Sequence, residues 1–470
     1  MVSLPAAADT TKISGSVGSR IETSDNLNGA SRKRAAAGLT AIQFGTTDFV
    51  IDTPRVNLTY DYGLNFDSTF STRSTENFQH TMLGVGKAEL YEDILYIDGR
   101  VMRNQALVNP LGPEPASTTG NRNNLTTEQL IEISPSLVHS FGRLAKAELR
   151  YRYRGTFVDD ATIGNSEARE ESFIIRSGDA WSQVALTATA DHLKVVSDQS
   201  TGNLETFTDE ITGQYALSRE FSLLAGVGVE RIDRGTLTDA PYEPIWDIGF
   251  KVRPGPRSEL RLTYGQRFGG TSIDGTLYYQ ITPRLTLRAD YRESVETTQQ
   301  TGALSQLARA TGLEVGAGAG LQSGQIFDPV TGRAVDVNNP GRGLQPDVVT
   351  VRRFDGSLTA NFDRSTAMLI LFDEQRDSTV QPNLHITDLE ARYNRQLSPD
   401  STINAGLTVR HASQGSGGTS DSLIERVSFS YSLSKDLAAS VGYTRVDTFG
   451  ASSSKSSSEN MIFAQLQIRF

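Results

Sequence analysis

The sequence predicts an all-β fold: a single closed antiparallel transmembrane β-barrel of about 22 strands, within a range of roughly 18–22, with short periplasmic turns and longer extracellular loops. Three observations predict it. Apolar and polar residues alternate strictly over segment after segment, and the polar parity carries full charges. The connections alternate between tight and long. No apolar run approaches the ~18–20 residues that a spanning helix needs, the densest stretch being the strand-sized Ala367 to Phe372.

The pattern recurs down the chain. In one segment Ala145, Ala147, Leu149, Tyr151, Tyr153 and Phe157 share a face, and Lys146, Glu148, Arg150, Arg152 and Arg154 share the other. Leu285, Leu287, Ala289 and Tyr291 oppose Arg284, Thr286, Arg288, Asp290 and Arg292. Leu389, Ala391, Tyr393 and Leu397 oppose Asp388, Glu390, Arg392, Asn394 and Gln396, and Val427, Phe429, Tyr431 and Leu433 oppose Arg426 and three serines. At the end of the sequence, Ile462, Ala464, Leu466, Ile468 and Phe470 oppose Phe463, Gln465, Gln467 and Arg469. Read in order, strands are expected at 12–24, 35–45, 50–70, 78–91, 94–108, 126–141, 143–157, 167–178, 180–195, 202–218 and 220–233. They continue at 241–253, 257–269, 272–282, 284–297, 347–362, 365–377, 383–397, 400–413, 420–434, 436–448 and 457–470. Each is long enough to cross a tilted ~9–11 residue span. The tight links lie near Glu92, Gly142, Gly178, Glu220 and Pro283, and an even strand count puts both barrel ends on their side.

One connection breaks the rhythm. The loop 298–346 carries "GALSQLARATGL", which suits a pair of amphipathic helical turns, then "GAGAGLQSG" and "DPVTGRAVDVNNPGRG". A loop this long either folds inward to constrict the lumen, stands outside to meet a partner, or is a loose exterior loop. Residues 1–11 read as a flexible remnant of a secretory signal, from "LPAAA" before Asp9, ahead of a barrel over 12–470.

Composition excludes several function classes. The formal net charge of -10 argues against nucleic acid as a partner. There is no cysteine, so no disulfide, thiolate metal site or cysteine nucleophile. The five histidines fall on separate strands without ligand spacing, and His411 with Ser413 is the one nearby pair of catalytic type. No enzyme, cofactor or metal is expected. "GAGAGL" lacks the parallel βαβ frame of a dinucleotide site. The constellation that stands out is basic: Arg150, Arg152 and Arg154, then Arg261 and Arg267, then Arg284, Arg288 and Arg292. Facing the lumen, these rows would favour anionic solutes. Alternatively they pair with lumen carboxylates and stiffen the wall.

The blocks "IETSDNLNG", "NFQHTMLGVGKAELYEDILYIDGRVMRNQ", "ISPSLVHSFGRLAKAELRYRYR", "YRESVETT", "FDPVTG", "RRFDGSLTANFDRSTAMLILFDEQRD" and "QLQIRF" resemble the outer-membrane β-barrels associated with PEP-CTERM/exosortase and exopolysaccharide gene clusters, the beta-barrel porin 2 group. The resemblance implies residence in a Gram-negative outer membrane and a conduit for exopolysaccharide export. It also implies a periplasmic polysaccharide export protein as partner, besides outer-membrane lipid. Relatives of this group have fewer strands. Ile462, Leu466, Ile468 and Phe470 are similar to the C-terminal signal that the outer-membrane assembly machinery reads. A general porin without a polysaccharide role is the alternative; a soluble propeller would need a repeat of ~40–50 residues, which the sequence lacks.

Overall fold

The computed structural model describes residues 10–27, 29, 35–70, 75–117, 124–235, 240–300, 343–450 and 456–470. Of the signal remnant expected at 1–11, residues 1–9 lie outside the described residues and Thr10 and Thr11 already belong to the first strand; the helical and glycine-rich stretches within 301–342 also lie outside the described residues. The strands are β1 (Thr10–Ser24), β2 (Gly38–Asp52), β3 (Val56–Phe70), β4 (Thr75–Tyr91), β5 (Leu95–Leu107), β6 (Leu125–Ser140), β7 (Ala145–Val158), β8 (Ser166–Ser177), β9 (Val184–Ser197), β10 (Leu204–Ala216) and β11 (Phe221–Asp233). They continue as β12 (Glu243–Gly255), β13 (Ser258–Arg267), β14 (Gly270–Thr282), β15 (Leu285–Thr297), β16 (Val348–Asn361), β17 (Ser365–Ser378), β18 (Leu384–Ser398), β19 (Ser401–Gln414), β20 (Gly418–Ser432), β21 (Leu437–Gly450) and β22 (Ser457–Arg469). Each pairs antiparallel with the next, and β22 pairs antiparallel with β1, from Ser16–Arg469 to Ser24–Met461. The sheet therefore has no free edge, the condition for placing strands in lipid.

The strand count and nearly all positions match the alternation. The turn between β2 and β3 does not: the expected break near 46–49 is continuous strand, and the chain turns at Thr53–Arg55 instead. Pro54 explains the shift, since proline cannot donate to a ladder and suits a tight turn. Thr53 closes that turn, its N–H donating to the Val56 carbonyl at 2.9 Å. On the long-loop side, β13 and β14 are joined by two residues only, Phe268 and Gly269, both with positive φ (56° and 74°), as a two-residue hairpin turn requires. Among the described residues, no helix is long and apolar enough to cross a membrane.

The two parities meet different surroundings. Ile13, Val17 and Ile21 of β1, Leu149 and Tyr151 of β7, Leu223 and Val227 of β11, and Val441 and Tyr443 of β21 are exposed on the outer face. Their neighbours point inward. Burial of the inner face is graded: along β18, Leu384, Ile386 and Asp388 are buried, Glu390 and Arg392 half-buried and Gln396 exposed. The lumen is thus filled at its outer end and open toward the short turns.

Candidate functional site

The filled outer mouth is built from an inward-folded loop. After β5 the chain reads "VNPLGPEPAS", residues 108–117. Three prolines leave it few backbone donors, so it cannot extend the sheet and runs as a separate strap. Asn124 fixes its start: its side chain accepts from the Asn109 N–H (2.9 Å) and donates to the carbonyls of Asn109 (2.8 Å) and Pro113 (3.2 Å). A Cβ on Gly112 would lie 2.5 Å from the Asn124 amide nitrogen, so a side chain there would push on the amide that anchors the strap.

Beyond this anchor the strap crosses to the far wall. Leu111 packs with Phe372, Leu384, Ile386 and Ala412 of β17–β19. A Glu114 oxygen lies 3.2 Å from Arg410 of β19, with both residues almost fully buried. Ala116 packs with Ile424, Val446 and Met461, and its N–H donates to Glu459 of β22 at 3.1 Å. A round barrel of 22 strands spaced ~4.8 Å and tilted ~40° would be ~44 Å across. Yet from Leu107 to Leu111 the chain reaches at most ~14 Å. The walls therefore close in at this level.

The ends of the long loop complete the closure. Gln299 and Gln300 are buried and donate to the carbonyls of Ile163 (3.2 Å) and Ser166 (3.3 Å) on the β7–β8 side. Leu344 packs with Ala106, Val158 and Ile163, and Gly343 accepts from Arg376 at 2.9 Å. Gly343 has φ 82°, and a Cβ there would meet Pro110 of the strap at 2.4 Å. Both flanks of the 298–346 loop thus turn inward, 298–300 onto the β7–β8 wall and 343–344 onto Pro110 of the strap and the β5 and β7 walls.

Asp160 shapes the extracellular turn that presents Ile163. Bonds from the Thr162 hydroxyl (2.5 Å) and N–H (2.8 Å) hold its carboxyl below the usual range. With the folded value below the unfolded one, this contribution is present above the unfolded pKa and is lost as pH falls through the folded value. Acid-induced loosening of the turn should begin below about pH 4, and Thr162→Val should move its onset upward, read as bilayer current against pH.

The eight arginines singled out by the sequence are distributed as follows. Arg150 bonds Asp98 (2.7 Å) and Glu148 (2.9 Å), Arg152 bonds Glu170 (2.5 Å), and Arg154 bonds Glu132 (2.9 Å). Glu132 also receives Arg100 (3.3 Å) and Arg152 (3.5 Å). Arg267 pairs with Glu210 and Glu230, and Arg292 approaches Asp290 at 3.9 Å. Arg288 lies over the Tyr278 ring at 5.5 Å, and Arg261 is exposed in the lower lumen. Arg284 is not in the wall: it sits in the β14–β15 turn and pairs with Asp363 of another turn. Arg150, Arg152, Arg154, Arg267 and Arg292 lie against lumen carboxylates, while Arg261 is exposed to the lumen and Arg288 lies over a tyrosine ring. Replacing Glu132 by Ala should strand Arg100 and Arg154, leave Arg152 on Glu170, and cost about 3–5 kcal/mol, read from urea unfolding in lipid. Arg284→Ala, at an exposed pair, should stay within about 0.5 kcal/mol.

The C-terminal residues Ile462, Leu466, Ile468 and Phe470 are all exposed on the outer face. Phe470 exchanges two backbone hydrogen bonds with Gly15, each 3.0 Å, so the last residue is tied to the first strand. What the sequence reading missed is the strap and its receptors, Glu114, Arg410 and Glu459. A signal existed: Phe372, Leu384, Ile386, Val446 and Met461 put apolar side chains on the inward parity at the outer strand ends.

No family model matches the sequence, and no curated protein is similar to it. Solved structures are. The siderophore receptor PirA from Acinetobacter baumannii superposes with a TM-score of 0.52 at 9% identity, over 99% of this chain and 81% of that one. The closed form of the ferric-catecholate import receptor Fiu from E. coli K12 gives 0.52 at 9% identity, over 97% and 82%, and its open form 0.51 at 9%, over 96% and 81%. The chain is an outer-membrane β-barrel. At such identities the likeness is one of fold alone. In barrels this wide the lumen is plugged or left as a channel; here, among the described residues, the outer mouth is filled by the barrel's own loops.

Proposed function

We propose that this protein is a gated conduit across the outer membrane, that its cargo is exopolysaccharide moving outward, and that a periplasmic polysaccharide export protein docks at its short-turn rim. The single observation that carries the reading is the polarity of the lumen, open toward the periplasm and shut at the outer mouth by a strap on localised contacts. Such a vestibule loads from the periplasm and releases outward when the strap moves. The resemblance to barrels of exopolysaccharide gene clusters supplies the cargo class. The inner wall supports it in kind: paired charges, and inward aromatics such as Tyr96, with Lys87 over its ring at 4.6 Å, suit a hydroxyl-rich chain.

A general solute channel is favoured by a different observation. Many of the large aromatics, including Tyr151, Phe173, Tyr215, Trp246 and Tyr264, face outward rather than lining the lumen. Deletion of the gene separates the two. Export predicts that surface polysaccharide is lost and accumulates in the periplasm, restored by the native chain. Unchanged surface polysaccharide with reduced small-solute uptake would leave the solute channel standing instead.

A further inference from the structure

The outer face of β1 and β2 departs from the apolar rule kept by the strands beside it. Ser19 of β1 and Gln43 of β2 are paired across the ladder, and both are exposed on the outward parity. The Ser19 hydroxyl donates to the Gln43 side-chain oxygen at 2.6 Å. The pair lies within the apolar band. Ser19 is flanked by Leu466 of β22 and Gln43 by Phe66 of β3, and along β1 Ile13 and Val17 lie to one side and Ile21 to the other. A glutamine amide has two N–H donors and two acceptor lone pairs. Ser19 occupies one lone pair, and among the described residues Gln43 makes no other side-chain hydrogen bond. Hydrocarbon offers nothing to the two donors, so lipid alone is a costly neighbour for this wall.

Gly45, the next residue on that parity, is a second departure. A Cβ there would come no nearer than 3.9 Å to any atom beyond its chain neighbours, so the fold itself has room for a larger side chain. Its absence leaves bare backbone between Val17 and Leu64. Small residues are what let two backbones approach closely within a bilayer. The outward parity of β1, β2 and β3 carries no charged residue, so two identical walls do not repel. We infer that this face is where a second copy of the chain docks, with Gln43 of each copy hydrogen-bonded to the partner's Gln43 about a twofold axis. Each amide then gives an N–H to the other's free lone pair, and one side chain satisfies both copies, as an isologous contact requires. Gly45 lets the second wall come near enough for that bond. The contact lies on the outside of the barrel, so it holds whatever the lumen carries.

The test uses the full chain in density-matched detergent micelles, followed by sedimentation equilibrium. The native protein should show a monomer–dimer equilibrium. Gln43→Leu should weaken it about tenfold, the scale of a polar contact between walls in a bilayer. Gly45→Leu should abolish it by bulk alone, while heat-modifiable gel migration shows the monomer folded, since the fold leaves space for that side chain. Because the chain has no cysteine, single-cysteine variants in lipid vesicles give a second readout. Gln43→Cys should form a disulfide between copies on mild oxidation. Val227→Cys, at a β11 position 63% exposed on the outer face, should not. A pure chain that stays monomeric at every concentration, a dimer left intact by Gly45→Leu, or equal disulfide formation at Val227→Cys overturns the inference, and the wall would then belong to lipid or to a different membrane protein.

Discussion

Replacing Pro110–Ser117 by a short glycine-serine linker should turn a nearly silent barrel into a wide pore. The strap is the one described segment that runs from β5 to receptors on β17 through β22. Its removal takes Leu111 out of a buried cluster and Ala116 out of another, and exposes Arg410 and Glu459 to lumen water. A barrel of 22 strands with its mouth partly cleared should conduct roughly an order of magnitude more than the native chain. Single-channel recording at neutral pH measures this directly. The converse experiment keeps the wall intact: because the chain has no cysteine, Ala116→Cys with Val446→Cys and a short thiol crosslinker should hold the strap shut until the link is cleaved. A strapless barrel with native conductance would mean that the long-loop flanks alone close the mouth, and the gate would have to be sought at Gln299, Gln300 and Leu344.

Why the wall was readable in the sequence and the strap was not follows from where each signal is stored. A strand between lipid and water announces itself locally, since every second residue answers to hydrocarbon. Val427, Phe429 and Tyr431 against Arg426, Ser428 and Ser430 fix a strand and its faces without any partner being known. The one misplaced turn arose where the local signal was split, polar Thr46–Asp48 competing with Pro54. The strap has no period. Its meaning lies in Leu111 meeting Ile386 and in Glu114 meeting Arg410, contacts between residues far apart in the chain. The arginine rows were visible for the same reason as the strands, being periodic. Their neutralisation was not, because Glu132 of β6 serves Arg100 of β5 and Arg152 and Arg154 of β7 at once.

The separation of faces can be measured by placing one charge on either side of a strand. Val441 of β21 is 52% exposed on the outer face and pairs with Phe429 and Ala464, near the middle of the apolar band that runs from Ile462 to Ile468 on β22. Ser440, one residue earlier, points inward and pairs with Ser430 and Gln465. Val441→Arg should cost about 2–4 kcal/mol, the penalty for a guanidinium at the hydrocarbon midplane, and Ser440→Arg should cost close to nothing because lumen water receives it. Reversible urea unfolding in lipid vesicles gives both values on one scale. The two positions are adjacent on one strand, away from its turns, so the chief difference between them is the solvent each side chain meets. A small and equal cost at both sites would mean that water reaches the outer face, and hydrocarbon would no longer account for the alternation from which the fold was read.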